Sequence, residues 1–362
     1  MQRDTPPAFL RPERGDSGRS APASPGDGPG PRSEERADRA RTVYRPRVQV
    51  RIRFTVEENY RGWRLDRYLQ EKIRRLSRAK VQRLIEHRLE HAGPVRLKAS
   101  TRVVPGLAFA LLKEAEPEPE APLEFAVVHD DGALVIVDKP AGLPVHPTAR
   151  YSAHTFTALA RARFPARKID PAHRIDRETS GLLACGGAPE HTTALKRAFA
   201  RGKVRKTYLA LCDGWPSEEA FAVDAPLALT GASTVRVRMH VDAAGLPSRT
   251  RFEVLARRRT SDGTPVALVA CHPETGRQHQ IRAHLKHSGL PIVGDKIYGP
   301  DEGIFDRFSR HEMTDEDRTR LRLERQALHA WRLVLPHPVT GEPVHVEAAL
   351  PADMDRFWGG CR

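Results

Sequence analysis

The sequence predicts an α+β protein in which a small α/β domain precedes a large domain built on a mostly antiparallel sheet. Beyond residue 122, strand-like apolar runs outnumber helix-like runs. An acidic, proline-rich stretch, EAEPEPEAP at 114–122, is typical of a linker and separates the two regions. The 362 residues are sufficient for one large domain and one small one.

Residues 1–52 are predicted to be a disordered basic tail. They are rich in Pro, Gly, Ser and Arg and contain no periodic apolar pattern. Such a segment buries too little apolar surface to offset the entropy lost on ordering.

Residues 53–113 are predicted to form the small domain. FTVEEN alternates like a short strand, and RLDRYLQEKIRR places Leu65, Leu69 and Ile73 on one helical face. Ser77 suits the N-cap of a second helix, RAKVQRLIEHR. VRLKASTRVVPGLAFALLK predicts short strands around a Pro-Gly turn.

Residues 123–355 are predicted to form the large domain. The strand-like runs are LEFAVVHD, ALVIVDKP, TRFEVLARR, PVALVACHP and EPVHVEAALP. The helix-like runs are AHTFTALARARF, HTTALKRAFARG and RQHQIRAHLKHSG.

Positive charge is concentrated at the N-terminal end. The chain has a net charge of +14, and residues 1–113 contain 26 Lys/Arg against 13 Asp/Glu. Residues 114–362 contain 34 against 33. A localised basic field is typical of a protein that binds a polyanion, whereas an ordinary charged surface is the alternative.

Several classes of protein are disfavoured. No apolar run approaches the roughly 18–20 residues that span a bilayer, and the first residues lack the apolar core of a secretory signal. The cysteines lie far apart, without CxxC spacing, which indicates a reducing compartment, and we expect a cytoplasmic protein. They are Cys185, Cys212, Cys271 and Cys361.

Common catalytic and cofactor motifs are absent from the sequence. There is no GxxxxGK[ST], GxGxxG or GxSxG pattern. His279, His284 and His287 fall on neighbouring faces of one predicted helix, but no nearby Cys or acidic residue completes a metal site. We therefore expect no metal.

The stretch PAHRIDRETSGLLACGG at 171–187 is the most distinctive one. Asp176 lies between Arg174 and Arg177, and flanking cations favour the ionised carboxylate. An ionised carboxylate can act as a nucleophile, a base or an electrostatic stabiliser. A solvated cluster of surface ion pairs is the structural alternative.

Two further stretches favour the catalytic interpretation. ACHPETGRQHQIRAHL at 270–285 predicts a strand, a tight turn and a helix, with Arg277 and Arg282 on its first turns, where an anion would bind. GKVRKTYLALC at 202–212 places Tyr208 in a strand after a basic run, where an aromatic ring could support a base.

Together these stretches resemble the RluA-type pseudouridine synthase family. HRIDRETSGLL is similar to the catalytic motif of that family, KTYLAL to its tyrosine motif and TGRQHQIRAHL to its basic motif. VIVDKPAGLPVHP, PIVGDKIYG and LHAWRLVLPHP follow the order of the family. LDRYLQEKIRRLSRAKVQRLIEH resembles the S4 RNA-binding domain.

The resemblance implies an enzyme that isomerises uridine in RNA to pseudouridine on a pseudouridine synthase fold, without cofactor or metal. Asp176 would act on the ribose, Arg282 would hold it ionised, and Tyr208 would pack against the base. Arg174 would help to expel the uridine from its stack. The other expected RNA-binding residues are His173, Arg277, Arg78, Lys80 and Arg83.

Some alternatives stay open. Asp176 could attack the sugar directly or remove a proton from C2′. Large-subunit ribosomal RNA is the expected substrate and transfer RNA the second candidate; we expect a monomer without an obligate protein partner. An inactive RNA-binding protein of the same fold is one rival. A glycosidic-bond hydrolase is another, with Glu178 as its second carboxylate.

Overall fold

A computed structural model describes residues 48–362 except 75, 116, 149, 232–234 and 236. The predicted tail falls largely on residues 1–47, which lie outside the described residues. The chain divides between Pro119 and Glu120 into two compact units. We call them the N-terminal unit (described residues 48–119) and the sheet unit (120–362).

The N-terminal unit combines a three-stranded antiparallel sheet with two helices. The sheet order is β1-β3-β2. Its elements are β1 (Val48–Thr55), α1 (Leu65–Lys72), α2 (Arg78–Arg88), β2 (Leu89–Glu90) and β3 (Ala108–Ala115).

The predicted boundaries of this unit need two corrections. Residues 48–52, assigned above to the tail, belong to β1, because VQVRIRFT alternates apolar and polar residues and pairs along its whole length with β3. Strand β3 also continues to Ala115, inside the predicted linker.

The two predicted helices are present. Helix α2 spans Arg78–Arg88 and has Ser77 at its N-cap, although no capping hydrogen bond from that hydroxyl is seen. Leu65 and Leu69 are fully buried in the core of the unit. Helix α1 ends at Lys72, so Ile73 packs against this core from the C-cap position.

The sheet unit is built on a ten-stranded sheet whose main path is β4-β5-β7-β14-β8-β13-β12-β9, with β15 beside β14 and β6 beside β7. Every pairing in this sheet is antiparallel except that of β7 with β14. The predicted mostly antiparallel sheet is therefore confirmed. Two short strands, β10 and β11, pair separately.

The elements of the sheet unit follow in chain order. They are β4 (Ala126–Asp130), β5 (Leu134–Lys139), α3 (Phe156–Arg163), β6 (Asp170–Pro171), β7 (Ser180–Gly186), α4 (Pro189–Ala200), β8 (Arg205–Asp213), β9 (Ala220–Asp224), β10 (Leu227–Leu229), β11 (Met239–Val241), β12 (Arg249–Arg259), β13 (Pro265–Pro273), α5 (Gln280–His287), α6 (Gly303–Arg310), α7 (Asp315–Leu321), β14 (Leu328–Pro336), β15 (Pro343–Glu347) and α8 (Ala352–Gly359).

The central strands are buried on both faces. In β5, Val135 and Val137 belong to one hydrophobic cluster, whereas Leu134 and Ile136 belong to another. This arrangement explains why β5 and β7 read as continuous apolar runs. None of the helices in the described part of the chain is long and apolar enough to cross a membrane.

The sheet unit extends beyond its predicted end at residue 355. Helix α8 places Trp358 in the main core, where it is 1% exposed. The backbone of Arg362 then exchanges two hydrogen bonds of 2.7 Å with that of Arg259. The C-terminal residues therefore form part of the fold.

The parallel pair of β7 and β14 requires glycine at position 181. Gly181 has φ +108°, and a Cβ there would lie 2.3 Å from the carbonyl oxygen of Ala330. This close approach brings the start of β7, directly after the Asp176 segment, against the start of β14.

Gly181→Ala is expected to lower the free energy of unfolding by about 2–4 kcal/mol, because the new methyl group collides with backbone and the left-handed φ strains alanine. Urea unfolding curves at neutral pH measure the loss. Gly359→Ala, in open space on α8, is the matched control and should change stability little. Equal midpoints for Gly181→Ala and the wild type would contradict this explanation.

Candidate active site

A cavity of about 550 Å³ opens where several strand ends meet the start of α5. The segment between β6 and β7 supplies Arg174 and Asp176 to its wall, β8 supplies Tyr208, and α5 supplies Arg282. The three residues expected to be catalytic therefore line one cavity, although they are distant in sequence.

Arg282 joins two carboxylates. Its Nη1 donates to Oδ2 of Asp176 at 2.9 Å. Its Nε and Nη2 donate to the two carboxylate oxygens of Asp295 at 2.6 and 2.8 Å. The expected contact of Arg282 with Asp176 is present, and the fork-to-fork contact with Asp295 fixes the plane of the guanidinium group.

The Asp295 carboxylate is itself held by the backbone. Its Oδ1 accepts hydrogen bonds from the backbone N–H groups of Ile297 and Tyr298 at 2.9 and 3.0 Å. Asp295 and Arg282 are 1% and 4% exposed, so water screens their attraction little. The pKa of Asp295 is lowered, since Arg282 and these hydrogen bonds outweigh burial.

Asp176 stays ionised at neutral pH. Burial alone would raise the pKa of its carboxyl, but His279, which is protonated only in acid, and the charge and hydrogen bond of Arg282 outweigh burial and lower it. Its side chain is 24% exposed, so one face of the carboxylate reaches the cavity.

His279 borders Asp176 on another side. Its Nε2 lies 3.9 Å from Oδ2 of Asp176, and its Nδ1 lies 3.1 Å from the hydroxyl of Tyr298. That hydroxyl oxygen accepts a hydrogen bond from the backbone N–H of Met239, so its own proton is available to Nδ1. Burial lowers the pKa of His279 to about 4. The ring is therefore neutral near pH 7, and Arg282 is the permanent cation beside Asp176.

His279 also has an unusual backbone conformation. It occupies the N-cap of α5 with φ +53°, in the left-handed region that residues other than glycine rarely adopt. Strained positions of this kind cluster at functional sites.

Lys139 anchors the backbone next to Asp176. Its fully buried ammonium group donates to the carbonyl oxygens of Pro140, Leu143 and Arg177 at 2.8, 2.8 and 3.1 Å. Burial lowers the pKa of Lys139 to about 7, while three carbonyl acceptors match the three protons of the charged form. The backbone N–H of Gly142 donates to the same Arg177 carbonyl at 2.8 Å.

One sequence neighbour of Asp176, Arg177, does not act as expected. Arg177 donates to Tyr151 Oη and to Glu178 Oε1 at 2.6 and 2.8 Å, so its guanidinium group points away from Asp176. The cation that contacts Asp176 is Arg282, which lies 106 residues later in the chain. Arg177 therefore does not supply the charge that the flanking-arginine explanation assigned to it.

Glu178 is bound by two cations. Besides Arg177, Lys296 lies 3.1 Å from each of its carboxylate oxygens. Both oxygens of Glu178 therefore contact cations, and Glu178 does not line the cavity that Asp176 and Tyr208 share.

Tyr208 and His173 are neutral groups in the cavity wall. Burial and the charge of Asp176 raise the pKa of the Tyr208 phenol. Burial lowers the pKa of His173 to about 3, and the backbone N–H of Ala184 donates to its Nε2 at 3.0 Å, which places the proton on Nδ1. The His173 ring stacks on Phe199 with centroids 4.4 Å apart.

Two further arginines line the cavity from exposed positions. Arg174 makes no ion pair or hydrogen bond within the described residues. Arg277 precedes α5, contrary to the predicted helical position, because the helix begins only at Gln280. Its Nε donates to the carbonyl oxygen of Pro247 at 3.2 Å.

The three expected RNA-binding residues of the N-terminal unit differ from one another. Lys80 and Arg83 are exposed on α2 and contact no carboxylate in the described chain. Arg78 instead donates to the buried Asp66 at 3.1 Å, together with Arg64 at 3.0 Å. Arg78 therefore binds Asp66 within the unit, although the sequence predicted that it would contact RNA.

Two of the three clustered histidines have other contacts. His284 Nδ1 lies 2.9 Å from Thr250 Oγ1, and its Nε2 lies 3.0 Å from the carbonyl oxygen of Ala225. His279 contacts Tyr298, as described above. Among the described residues, no group of His, Cys, Asp or Glu is arranged to hold a metal ion.

Sequence reasoning missed several residues that build the site. They are Asp295, Tyr298, His279 and Lys139. Asp295 and Tyr298 lie in PIVGDKIYG, and Lys139 lies in VIVDKPAGLPVHP, two motifs noted for their order but given no role. A lone acidic residue in an apolar stretch was the available signal for Asp295.

Comparisons with known proteins all indicate the same family. Residues 133–287 match the model of the RNA pseudouridylate synthase family. Ribosomal large subunit pseudouridine synthase D of Nitrosomonas europaea is 34% identical over 316 residues, which cover 84% of this chain and 86% of that protein. Ribosomal large subunit pseudouridine synthase C of Pasteurella multocida is 30% identical and covers 85% of this chain and 93% of its own length.

A solved structure shows a similar fold. Human RNA Pseudouridylate Synthase Domain Containing 1 matches with a TM-score of 0.51 and 27% identity, over 64% of this chain and 86% of that chain.

Asp295→Asn is expected to lower the free energy of unfolding by about 3–5 kcal/mol near pH 7, because it leaves a buried guanidinium short of one counter-charge. Asp353→Asn is the matched control. Asp353 accepts the same paired hydrogen bonds from Arg325 at 2.6 and 2.8 Å, but its side chain is 34% exposed, so a smaller loss is expected.

The pH dependence of this loss has a definite sign. The folded-state pKa of Asp295 is lowered, so its contribution is present above the unfolded-state pKa of about 3.9 and is lost as pH falls through the folded-state pKa. Urea unfolding between about pH 3 and 8 should show a constant difference above pH 5 that shrinks in acid. A difference that grows on acidification would contradict the assignment.

Proposed function

The chain belongs to the RluA-type family of RNA pseudouridine synthases, and from this premise we propose that it isomerises uridines in large-subunit ribosomal RNA, with Asp176 as the catalytic carboxylate. The observation that carries the proposal is the Asp295–Arg282–Asp176 chain, which presents one ionised carboxylate to the cavity. The printed names of its relatives support the choice of ribosomal RNA.

The reaction rearranges the nucleotide without adding or removing atoms. The bond between C1′ and N1 breaks, the uracil ring turns, and a bond forms between C1′ and C5. C5 then loses its proton and N1 gains one. A carboxylate beside the ribose is needed in either of the two routes, attack on the sugar or removal of a C2′ proton.

The surroundings of Asp176 suit this task. Because Arg282 holds Oδ2 and is itself fixed by Asp295, the carboxylate is oriented before the RNA binds. Tyr208 would pack against the detached uracil, and its protonated phenol could carry a proton between positions of the ring. The unengaged guanidinium of Arg174 would fill the space that the flipped uridine leaves in the RNA.

The rival functions have less support. Hydrolysis requires a second carboxylate to activate water, and Glu178 is bound by Arg177 and Lys296. An inactive RNA-binding protein would have no need for a buried ion pair that orients Asp176. Transfer RNA stays the second candidate substrate.

The proposal extends to the oligomeric state and the cellular compartment of the enzyme. Since one chain supplies the whole site, the proposal needs no partner protein and is consistent with a monomer. All four cysteines are buried and unpaired, which suits the reducing cytoplasm.

The N-terminal unit is assigned to RNA affinity, as its S4 resemblance implies. Its described residues include exposed cations on α2, among them Lys80 and Arg83. Phosphate contacts of this kind position an enzyme on RNA without reading its sequence.

Asp176→Asn is expected to abolish pseudouridine formation, because an amide can neither attack C1′ nor accept the C2′ proton. The RNA dissociation constant should change by less than about tenfold, or roughly 1.4 kcal/mol. The assay is tritium release from ribosomal RNA labelled at C5 of uridine. Asp170→Asn, a partly exposed carboxylate six residues earlier, is the control and should keep its activity.

The products of the same assay decide among the functions. Free uracil would indicate the hydrolase, and neither product would indicate the inactive binder. Multiple turnovers by Asp176→Asn would exclude Asp176 as the catalytic carboxylate.

Lys80→Gln/Arg83→Gln is expected to weaken RNA binding without loss of stability. The slope of log affinity against log salt should become shallower by about 1.5, because two fewer cations displace counterions. Arg78→Gln should instead lower the unfolding midpoint, since the buried Asp66 loses a donor. Filter binding measures the salt slope of the double variant, and urea unfolding measures the midpoint of Arg78→Gln. An unchanged salt slope for the double variant would show that Lys80 and Arg83 do not contact RNA phosphates.

A further inference from the structure

One segment of the sheet unit carries a concentrated positive charge. Residues 196–206, KRAFARGKVRK, contain six Lys/Arg and no acidic residue. We call this stretch the basic segment. Residues 114–362 contain 34 Lys/Arg and 33 Asp/Glu in total, so the rest of that region is net negative.

The cations of the basic segment lack carboxylate partners. Five of them are exposed and form no ion pair within the described part of the chain: Lys196, Arg197, Arg201, Lys203 and Arg205. Elsewhere on the same sheet, arginines commonly pair, as Arg257 does with Glu219 and Arg332 with Glu347. The unpaired charges must repel one another, which lowers stability unless an anion binds there.

Helix geometry explains only part of this charge. Arg197 lies in the last turn of α4, where the helix dipole favours a cation. Lys203 lies in the turn beyond the helix, and Arg205 lies in β8, so neither gains from the dipole.

The basic segment forms a wall between two cavities. Phe199, Gly202 and Lys206 line the active-site cavity. Lys203 and Arg205 line a second cavity of about 320 Å³, together with Pro336 and Pro343. The alternation of side chains along the strand explains the separation, since Lys206 and Tyr208 lie on one face of β8 and Arg205 on the other.

We propose that the basic segment binds phosphates of the RNA strand that leads the target uridine into the active-site cavity. The identification of the ligand as RNA rests on the proposed function. Arg205 lies three residues from Tyr208 on β8, about 10 Å along the strand but on its other face, so the phosphates that it contacts belong to nucleotides near the target and not to the target itself. The second cavity offers a phosphate site at Lys203 and Arg205 beside an apolar proline surface.

The sheet unit therefore has its own RNA anchor, separate in sequence from that of the N-terminal unit. Phosphate contacts at the basic segment would help to offset the few kcal/mol that extraction of the uridine costs.

The test is Arg201→Gln/Lys203→Gln/Arg205→Gln in the full-length protein. The matched control is Arg161→Gln/Arg356→Gln/Arg362→Gln, which removes three exposed cations of the same unit that line neither cavity and have no carboxylate partner among the described residues. The probe is a large-subunit ribosomal RNA transcript labelled with tritium at C5 of uridine. Filter binding between about 50 and 200 mM salt gives the slope of log affinity against log salt.

The basic-segment variant should bind at least tenfold more weakly, with a slope about 2 smaller, because three phosphate contacts are lost. The control should bind and turn over like the wild type. Equal slopes for the basic-segment variant and the wild type, or equal losses in both triple variants, would overturn the proposal. Should the triple variant unfold, Lys203→Gln and Arg205→Gln are measured singly, each with an expected slope change of slightly under 1.

Failure of the proposed function would look different. A wild-type protein that binds the transcript but releases no tritium would contradict pseudouridine formation. The comparison of salt slopes would still show whether the basic segment binds RNA phosphates.

Discussion

The ion pair between Arg282 and Asp295 is the interaction on which the rest of the site depends. Moving a guanidinium group out of water costs several kcal/mol, and this cost is offset only if the ion-pair geometry is good and further hydrogen bonds are made. Asp295 accepts from two guanidinium nitrogens, and Asp176 accepts from the third. Each guanidinium nitrogen of Arg282 thus makes one hydrogen bond, and the pair with Asp295 directs Nη1 at the carboxylate that faces the cavity.

The segment around Asp176 is fixed mainly through its backbone. Lys139 and Gly142 hold the carbonyl group of Arg177, and the N–H of Thr179 donates to the carbonyl oxygen of Asp176 at 3.2 Å. Gly181 then allows β7 to run close beside β14. Because these contacts use main-chain groups, the side chains of Arg174 and Asp176 stay available to the cavity.

The fold class and the principal residues of the site could be predicted from sequence, since they depend on local patterns. Helix α2 has its predicted bounds, and apolar runs such as PVALVACHP coincide with a strand. The remaining features depend on contacts between distant parts of the chain. The family resemblance implied Arg282 as the cation of Asp176, but no local pattern reveals that Asp295 fixes this cation or that Asp66 binds Arg78. Short strands such as β9, β10 and β11 also carry too few residues to show a period.

The alternation of side chains along β8 also limits how this part of the gene can vary in length. Lys206 and Tyr208 face the active-site cavity, while Arg205 faces the second cavity. Insertion or deletion of one residue between Lys203 and Tyr208 would turn each following side chain to the opposite face of the strand. The phenol would then leave the cavity even if every residue type were retained. Point substitutions between these two positions are therefore easier to accommodate than a change in length, whereas Gly263 lies in an exposed turn between β12 and β13, the kind of position where insertions are tolerated.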